Sequence, residues 1–69
     1  MIDFATLIRN ERLKRDLDQM ELGKLAGVSN MSVHRIENGG NMTIKTLGLI
    51  LDVFDMKLEV VENGTTEVI

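Results

Sequence analysis

The stretch LDQMELGKLAGVSNMSVHRIENGG, from Leu17 to Gly40, constrains the chain more than any other. It holds two short amphipathic segments separated by Gly27, Val28 and Ser29. Asp18 stands as an N-cap for the first segment, and Glu21 three residues on gives the spacing of a capping box. The expected helix runs from Gln19 to Leu25 or Ala26, with Leu22, Leu25 and Ala26 on one face. Gly23 inside it costs about 1 kcal/mol relative to Ala, which makes sense where a neighbouring helix crosses and no side chain fits. Gly27 supplies a positive φ for a tight turn, Val28 an apolar plug and Ser29 the cap of the next helix. That helix runs from Asn30 to Glu37 or Asn38, with Val33 and Ile36 inward, and Gly39 and Gly40 end it.

Two short helices joined by a turn of about three or four residues with a glycine form a helix-turn-helix arrangement. The flanks supply what it packs on. Phe4 to Asp16 reads as a helix with Phe4, Leu7, Ile8 and Leu13 at apolar spacing and Arg9, Arg12, Lys14 and Arg15 among them. Thr43 caps a further helix whose stripe is Ile44, Leu47, Ile50, Leu51 and Phe54, ending at Asp55. The period then changes. Met56, Leu58 and Val60 alternate with Lys57 and Glu59, which predicts a strand over 56–62. Asn63-Gly64 is a type I′ turn signal, and the closing TTEVI either returns as a second strand or frays. The expected core is Met20, Leu22, Leu25, Val33, Ile36, Ile44, Leu47 and Ile50. Leu49 falls off the main stripe. It and Phe4 are either packed or partly exposed to a protein partner.

The expected fold is therefore mainly α, four to five helices around a helix-turn-helix, with a C-terminal β-strand, in one domain over 1–69. Such a chain buries about 60% of its unfolded surface and is marginal alone. It has no cysteine and one histidine, so neither disulfides nor zinc is expected to staple it, and no cofactor is implied. Helix packing or self-association is left as the support. MIDFATLI carries Asp3 and no basic n-region, so it does not read as a signal peptide. TLGLILDVF is broken by Asp52, and no apolar run approaches the ~18 residues of a membrane span. A cytoplasmic location with no membrane partner is expected. The net charge of −3 is unevenly placed: residues 1–45 hold seven Lys/Arg and six Asp/Glu, residues 46–69 one and five. A local positive face is possible in the first part, but phosphate neutralisation alone would give modest affinity for nucleic acid.

The segment LDQMELGKLAGVSNMSVHRIENGG resembles the helix-turn-helix of Cro and lambda-repressor-type proteins, the XRE family. The resemblance covers about residues 6–54 and rests on a combination: an Arg in the first helix, Gln opening the second, LAGVS at the turn and RIENG closing the third. The ending TIKTLGLILDVFDMKLEVVENG, helix then strand, is similar to Hip-type antitoxins. The resemblance implies a recognition helix whose N-terminal residues meet base edges in the major groove. Asn30, Met31, Ser32 and Arg35 match those groove-facing positions. Arg can clasp guanine O6 and N7, Asn adenine N6 and N7, and Met offers only apolar contact such as a thymine methyl. For Met31, core packing or a partner contact is the rival reading. His34 is read as a surface side chain before a base contact. Gln19 matches the family's helix-opening, phosphate-binding Gln, and Asn38 its phosphate clamp, extended by Asn41 and Lys45. Arg12 and Glu37 match a structural ion pair that ties the first helix to the end of the third.

The implied function is a repressor that binds double-stranded DNA as a homodimer on a palindromic operator, nucleoid-associated when bound. It is either an antitoxin that also restrains a toxin protein or a free-standing, phage-like repressor. The strand bearing Met56, Leu58 and Val60 is the expected dimerisation element, pairing with its symmetry mate. A hairpin within one chain is the rival pairing. A protein-interaction module without DNA binding remains the alternative, supported by the acidic C-terminal third. No catalytic grouping or metal set is recognisable, and ENGG ends a helix where a phosphate loop would open one.

Overall fold

A computed structural model of the chain describes residues 2–60, 64 and 66–69. Four helices, α1 (Phe4–Lys14), α2 (Gln19–Ala26), α3 (Asn30–Glu37) and α4 (Ile44–Val53), precede a hairpin of β1 (Leu58–Val60) and β2 (Thr66–Val68). Helices of eight to eleven residues are too short to persist alone in water. Each starts from an extended residue whose side chain accepts a backbone N–H three residues on: Asp3, Asp18, Ser29 and Thr43. The capping box at Asp18 is closed in both directions, Glu21 N to Asp18 Oδ1 at 2.7 Å and Asp18 N to Glu21 Oε1 at 2.9 Å.

Three helices end in the same device. At α3, Gly39 N–H donates to Ile36 O and Gly40 N–H to Arg35 O, with Gly39 at φ +81°. This is the Schellman pattern. It recurs at α1 with Asp16 (φ 55°) and at α4 with Asp55 (φ 57°) in the left-handed position. Those two aspartates hold a conformation that suits glycine better. They explain why α1 stops at Lys14, short of the expected Asp16: Arg12 O and Leu13 O are already taken by Leu17 and Asp16 N–H groups.

The core gathers one or more residues from each helix: Ile8 from α1, Leu22 and Ala26 from α2, Val33 and Ile36 from α3, Leu47, Ile50 and Leu51 from α4, then Phe54. Met20, Leu25 and Ile44 were expected there, and they are exposed. An eight-residue helix turns only a narrow stripe inward, and on α2 Leu22, Gly23 and Ala26 occupy it. Met20 and Leu25 fall on its two flanks. Ile44, 72% exposed, is the first residue of α4 and overhangs the turn that packs. Leu13, near the end of α1, is likewise exposed, while Leu49 is partly so and Phe4 is half-buried against the core.

Gly23 shows why α2 and α3 are set so closely. A Cβ there would lie 2.8 Å from Val28 O and 3.3 Å from Asn30 N, so backbone meets backbone at the crossing. Gly27, at φ +76°, makes the left-handed turn between them.

The closing residues form a second strand. β1 and β2 run antiparallel with Leu58 opposite Val68, Glu59 opposite Glu67 and Val60 opposite Thr66. Lys57 and Ile69 extend the ladder with two 2.7 Å backbone hydrogen bonds. A two-residue turn at Asn63-Gly64 would set Val60 opposite Glu67, one residue out from this register; Asn63 itself, like Val61 and Glu62 of the expected strand, lies outside the described residues. Met56, Leu58 and Val68 pack against the helical core. The β1 edge that faces β2 is thus occupied within the chain, and the side chains of Met56 and Leu58 are turned inward.

Candidate nucleic-acid interface

Helix α3 is two-sided. Val33, Ile36 and Glu37 are buried, and Met31, His34, Arg35 and Asn38 lie on the opposite, exposed face. Asn30 is exposed at the first turn and Ser32 is half-buried. The cap holds that turn in place: Ser29 Oγ accepts Ser32 N–H at 3.1 Å and lies 3.0 Å from Ser32 Oγ. Ser32's hydroxyl is therefore engaged with the cap. At the other end Asn38 folds back, donating Nδ2 to His34 O at 2.7 Å, so one amide hydrogen closes the helix. Asn41 and Lys45 are exposed, in the loop after α3 and the first turn of α4.

Gly40 shapes the surroundings of Arg35. A Cβ at Gly40 would sit 2.5 Å from Arg35 Cγ and 2.9 Å from Arg35 O. The Arg35 stem lies across a bare backbone that only glycine leaves open.

Behind α3 lies the charged brace. Glu37, its side chain 1% exposed, accepts from Arg12 twice, Nε to Oε2 at 2.7 Å and Nη2 to Oε1 at 2.9 Å. Gln19 Nε2 reaches the same Oε1 at 3.3 Å. Arg12 also donates to Leu17 O at 2.8 Å. One carboxylate thus joins α1, the start of α2 and the end of α3. Burial pushes its carboxyl pKa up, but the hydrogen bonds from Arg12 and Gln19 and the charges of Arg12 and Arg9 outweigh that and hold it below the ordinary range. The Arg12 guanidinium is correspondingly held above its usual value, by the Glu37 hydrogen bonds first. Gln19, expected at a phosphate, spends one amide hydrogen on this brace and keeps the other.

Two arginines carry roles that the sequence pattern did not assign. Arg9 Nη2 donates to the Glu37 carbonyl at 2.6 Å, with Nε 3.6 Å from its carboxylate. Arg9 and Arg12 stand three apart on α1 and so share a face, which is the signal that pairs them. Arg15 bonds Glu11 at 3.0 Å, an i,i+4 pair that helical spacing signals, and stacks its guanidinium 4.7 Å from the centre of the Phe54 ring, a contact that no local spacing encodes. Arg9, Arg12 and Arg15 are all held internally. Among the described residues the guanidinium of Arg35 alone makes no hydrogen bond or ion pair.

The fold and this two-sided helix match a known plan. A family model for helix-turn-helix proteins matches residues 8–61, well over half of the chain, and it is of the Cro/C1 type. Comparison with curated proteins finds no match. The chain belongs to the Cro/C1-type helix-turn-helix family, the XRE family of DNA-binding transcription regulators.

Proposed function

We propose that the protein is a sequence-specific repressor that binds a palindromic operator as two copies, each inserting α3 in the major groove. The observation that carries this reading is the unengaged Arg35 on the outward face of a helix whose other face is fully packed. A cation that no described residue engages, on a stem seated over Gly40, is suited to a guanine edge. Asn30 and Met31 contact bases from the first turn, and Ser32 assists from the cap. Phosphates are held by the second amide hydrogen of Gln19, by Asn38 with the adjacent backbone, and by Asn41. These contacts fix register without reading sequence. The acidic residues of the C-terminal third oppose binding over that end and help orient the approach.

Selection of bound duplexes from a random pool tests this. The expected product is a palindrome whose half-site centres lie about 34 Å, one helical turn, apart. Arg35→Ala is expected to cost about 1–3 kcal/mol at one base position, while Gln19→Ala weakens all duplexes alike and, the amide being neutral, leaves the salt dependence nearly unchanged. An intact, folded chain that enriches no sequence at low salt refutes the proposal. The antitoxin version adds a toxin partner; the helix-then-strand ending favours it, and a stable complex with the product of an adjacent gene is its test.

A further inference from the structure

Among the described residues the outward face of α4 has no packing partner. Lys45, Gly48, Leu49 and Asp52 stand at i, i+3, i+4 and i+7, hence on one side of the helix, and all four are exposed. Among the described residues neither Lys45 nor Asp52 has an ion-pair partner. Gly48 is the unusual member. It sits mid-helix, where glycine is less favourable than Ala, with no described atom within 4 Å of where its Cβ would be. Its φ is not in the left-handed range. Among the described residues nothing requires a glycine there. Beside it opens an apolar cleft of about 800 Å³, bordered by Ile2, Phe4, Ile44, Gly48, Met56 and Leu58.

We infer that a second copy of this chain docks on this face, α4 against α4, antiparallel, with its two-fold axis between Gly48 and Leu49. The face is complementary to itself in that register. Antiparallel helices pair residues whose numbers have a constant sum. With Gly48 opposite the partner's Leu49, Lys45 falls opposite the partner's Asp52, and both pairs occur twice by symmetry. Leu49 fills the hollow left by the partner's Gly48, and the missing Cβ lets the two axes approach. Each ammonium meets a carboxylate. In a parallel arrangement, whose two-fold axis runs along the helices, Lys45 faces Lys45 and Asp52 faces Asp52, which is repulsive. Two observations weigh for α4 over β1: β2 already takes one edge of β1, and Met56 and Leu58 pack on their own core. Helix α4 is ten residues long, about 15 Å. The contact is small against a standard interface, so free copies associate weakly and pair fully on adjacent half-sites.

This inference deepens the dimeric reading above, and its test separates the two. Self-association is measured by sedimentation equilibrium on the full chain, and DNA binding on a duplex carrying a single half-site and on the full palindrome. Gly48→Gln is expected to raise the melting temperature, because it improves helix propensity in open space, while weakening self-association at least about tenfold. Lys45→Glu and Asp52→Lys each weaken it, and the double exchange restores it. Half-site affinity stays unchanged in Gly48→Gln and Asp52→Lys, and affinity for the palindrome falls with self-association. The inference is overturned by a wild-type chain that stays monomeric at high concentration and binds the palindrome without cooperativity. It is equally overturned by self-association indifferent to Gly48→Gln, by a double exchange that does not rescue, or by Lys45→Glu lowering half-site affinity alone, which would make Lys45 a phosphate ligand. Failure of every duplex to bind, with self-association behaving as stated, would remove the operator reading and leave the interface.

Discussion

Removing the Glu37 carboxylate is the most searching perturbation of this fold, because three elements converge on it. Glu37→Ala takes away both Arg12 hydrogen bonds and that of Gln19. Arg12, 12% exposed, is left with the Leu17 carbonyl alone. Breaking a buried pair from one side costs about 3–5 kcal/mol. The lower end applies here, about 3 kcal/mol, because Arg9 is 47% exposed and water can reach the vacated site from that side. A chain of 69 residues has about 3–10 kcal/mol in total, so the variant is expected to lose from about a third to all of its stability, with Tm lower by about 12–24 °C. Glu37→Gln keeps one acceptor and should lose about half as much. Arg12→Met combined with Glu37→Leu removes the charges together and should recover most of the loss. The chain has neither Trp nor Tyr, so helical circular dichroism in urea and on heating is the appropriate readout. Base preference, measured well below each variant's Tm, should match that of the wild type. A loss under about 1 kcal/mol for Glu37→Ala, a double variant as unstable as the sum of its parts, or a changed preference at unchanged Tm would each refute the reasoning.

The same carboxylate sets an acid limit. Its pKa is lowered on folding, so its contribution is complete above the ordinary Glu value of about 4.3 and is lost as pH falls through the lower folded value. Acid titration of Glu37→Gln, followed by circular dichroism, should show less stability lost over that interval than in the wild type. Gly23→Ala should destabilise by about 1–3 kcal/mol, because both close neighbours are backbone atoms at the α2–α3 crossing; a neutral result in urea denaturation would mean the crossing yields easily. Asp16→Gly should stabilise by about 0.5–1 kcal/mol, since it relieves a positive φ and removes an anion from a helix C-terminus; unchanged Tm would show the strain to be absent. Glu59→Lys should stabilise the hairpin by about 0.2–1 kcal/mol, as Glu59 stands directly opposite Glu67, and amide exchange at β2 reports it.

What could be read from the sequence follows from the range over which each interaction acts. Local signals carried far. Asp18 with Glu21, Ser29 and Thr43 act within one turn, and α2 and α3 begin and end where those residues and Gly27 and Gly39 place them. The left-handed Asp16 and Asp55 were less legible, because only glycine advertises that conformation and an aspartate adopts it when the Schellman hydrogen bonds compensate. The core was legible as a stripe and misleading at its edges. Periodicity states which residues can share a face, whereas the neighbour decides how wide that face is, and so Met20, Leu25 and Ile44 stand exposed.

At the candidate site the division is sharper. Exposure of Asn30, Met31 and Arg35 follows from helical phase alone. That Ser32 and Asn38 are already committed to the two ends of α3, while no described residue engages the Arg35 guanidinium, depends on geometry that no spacing encodes. The brace behind the helix explains the difference. Arg9 and Arg12 serve Glu37 and Arg15 serves Phe54 and Glu11, so the fold absorbs the cations of α1 and leaves the one on α3. A net-acidic chain can thus present a positive charge where a groove would receive it. In the proposed function, recognition rests on which arginine the interior does not claim, more than on how many the sequence holds.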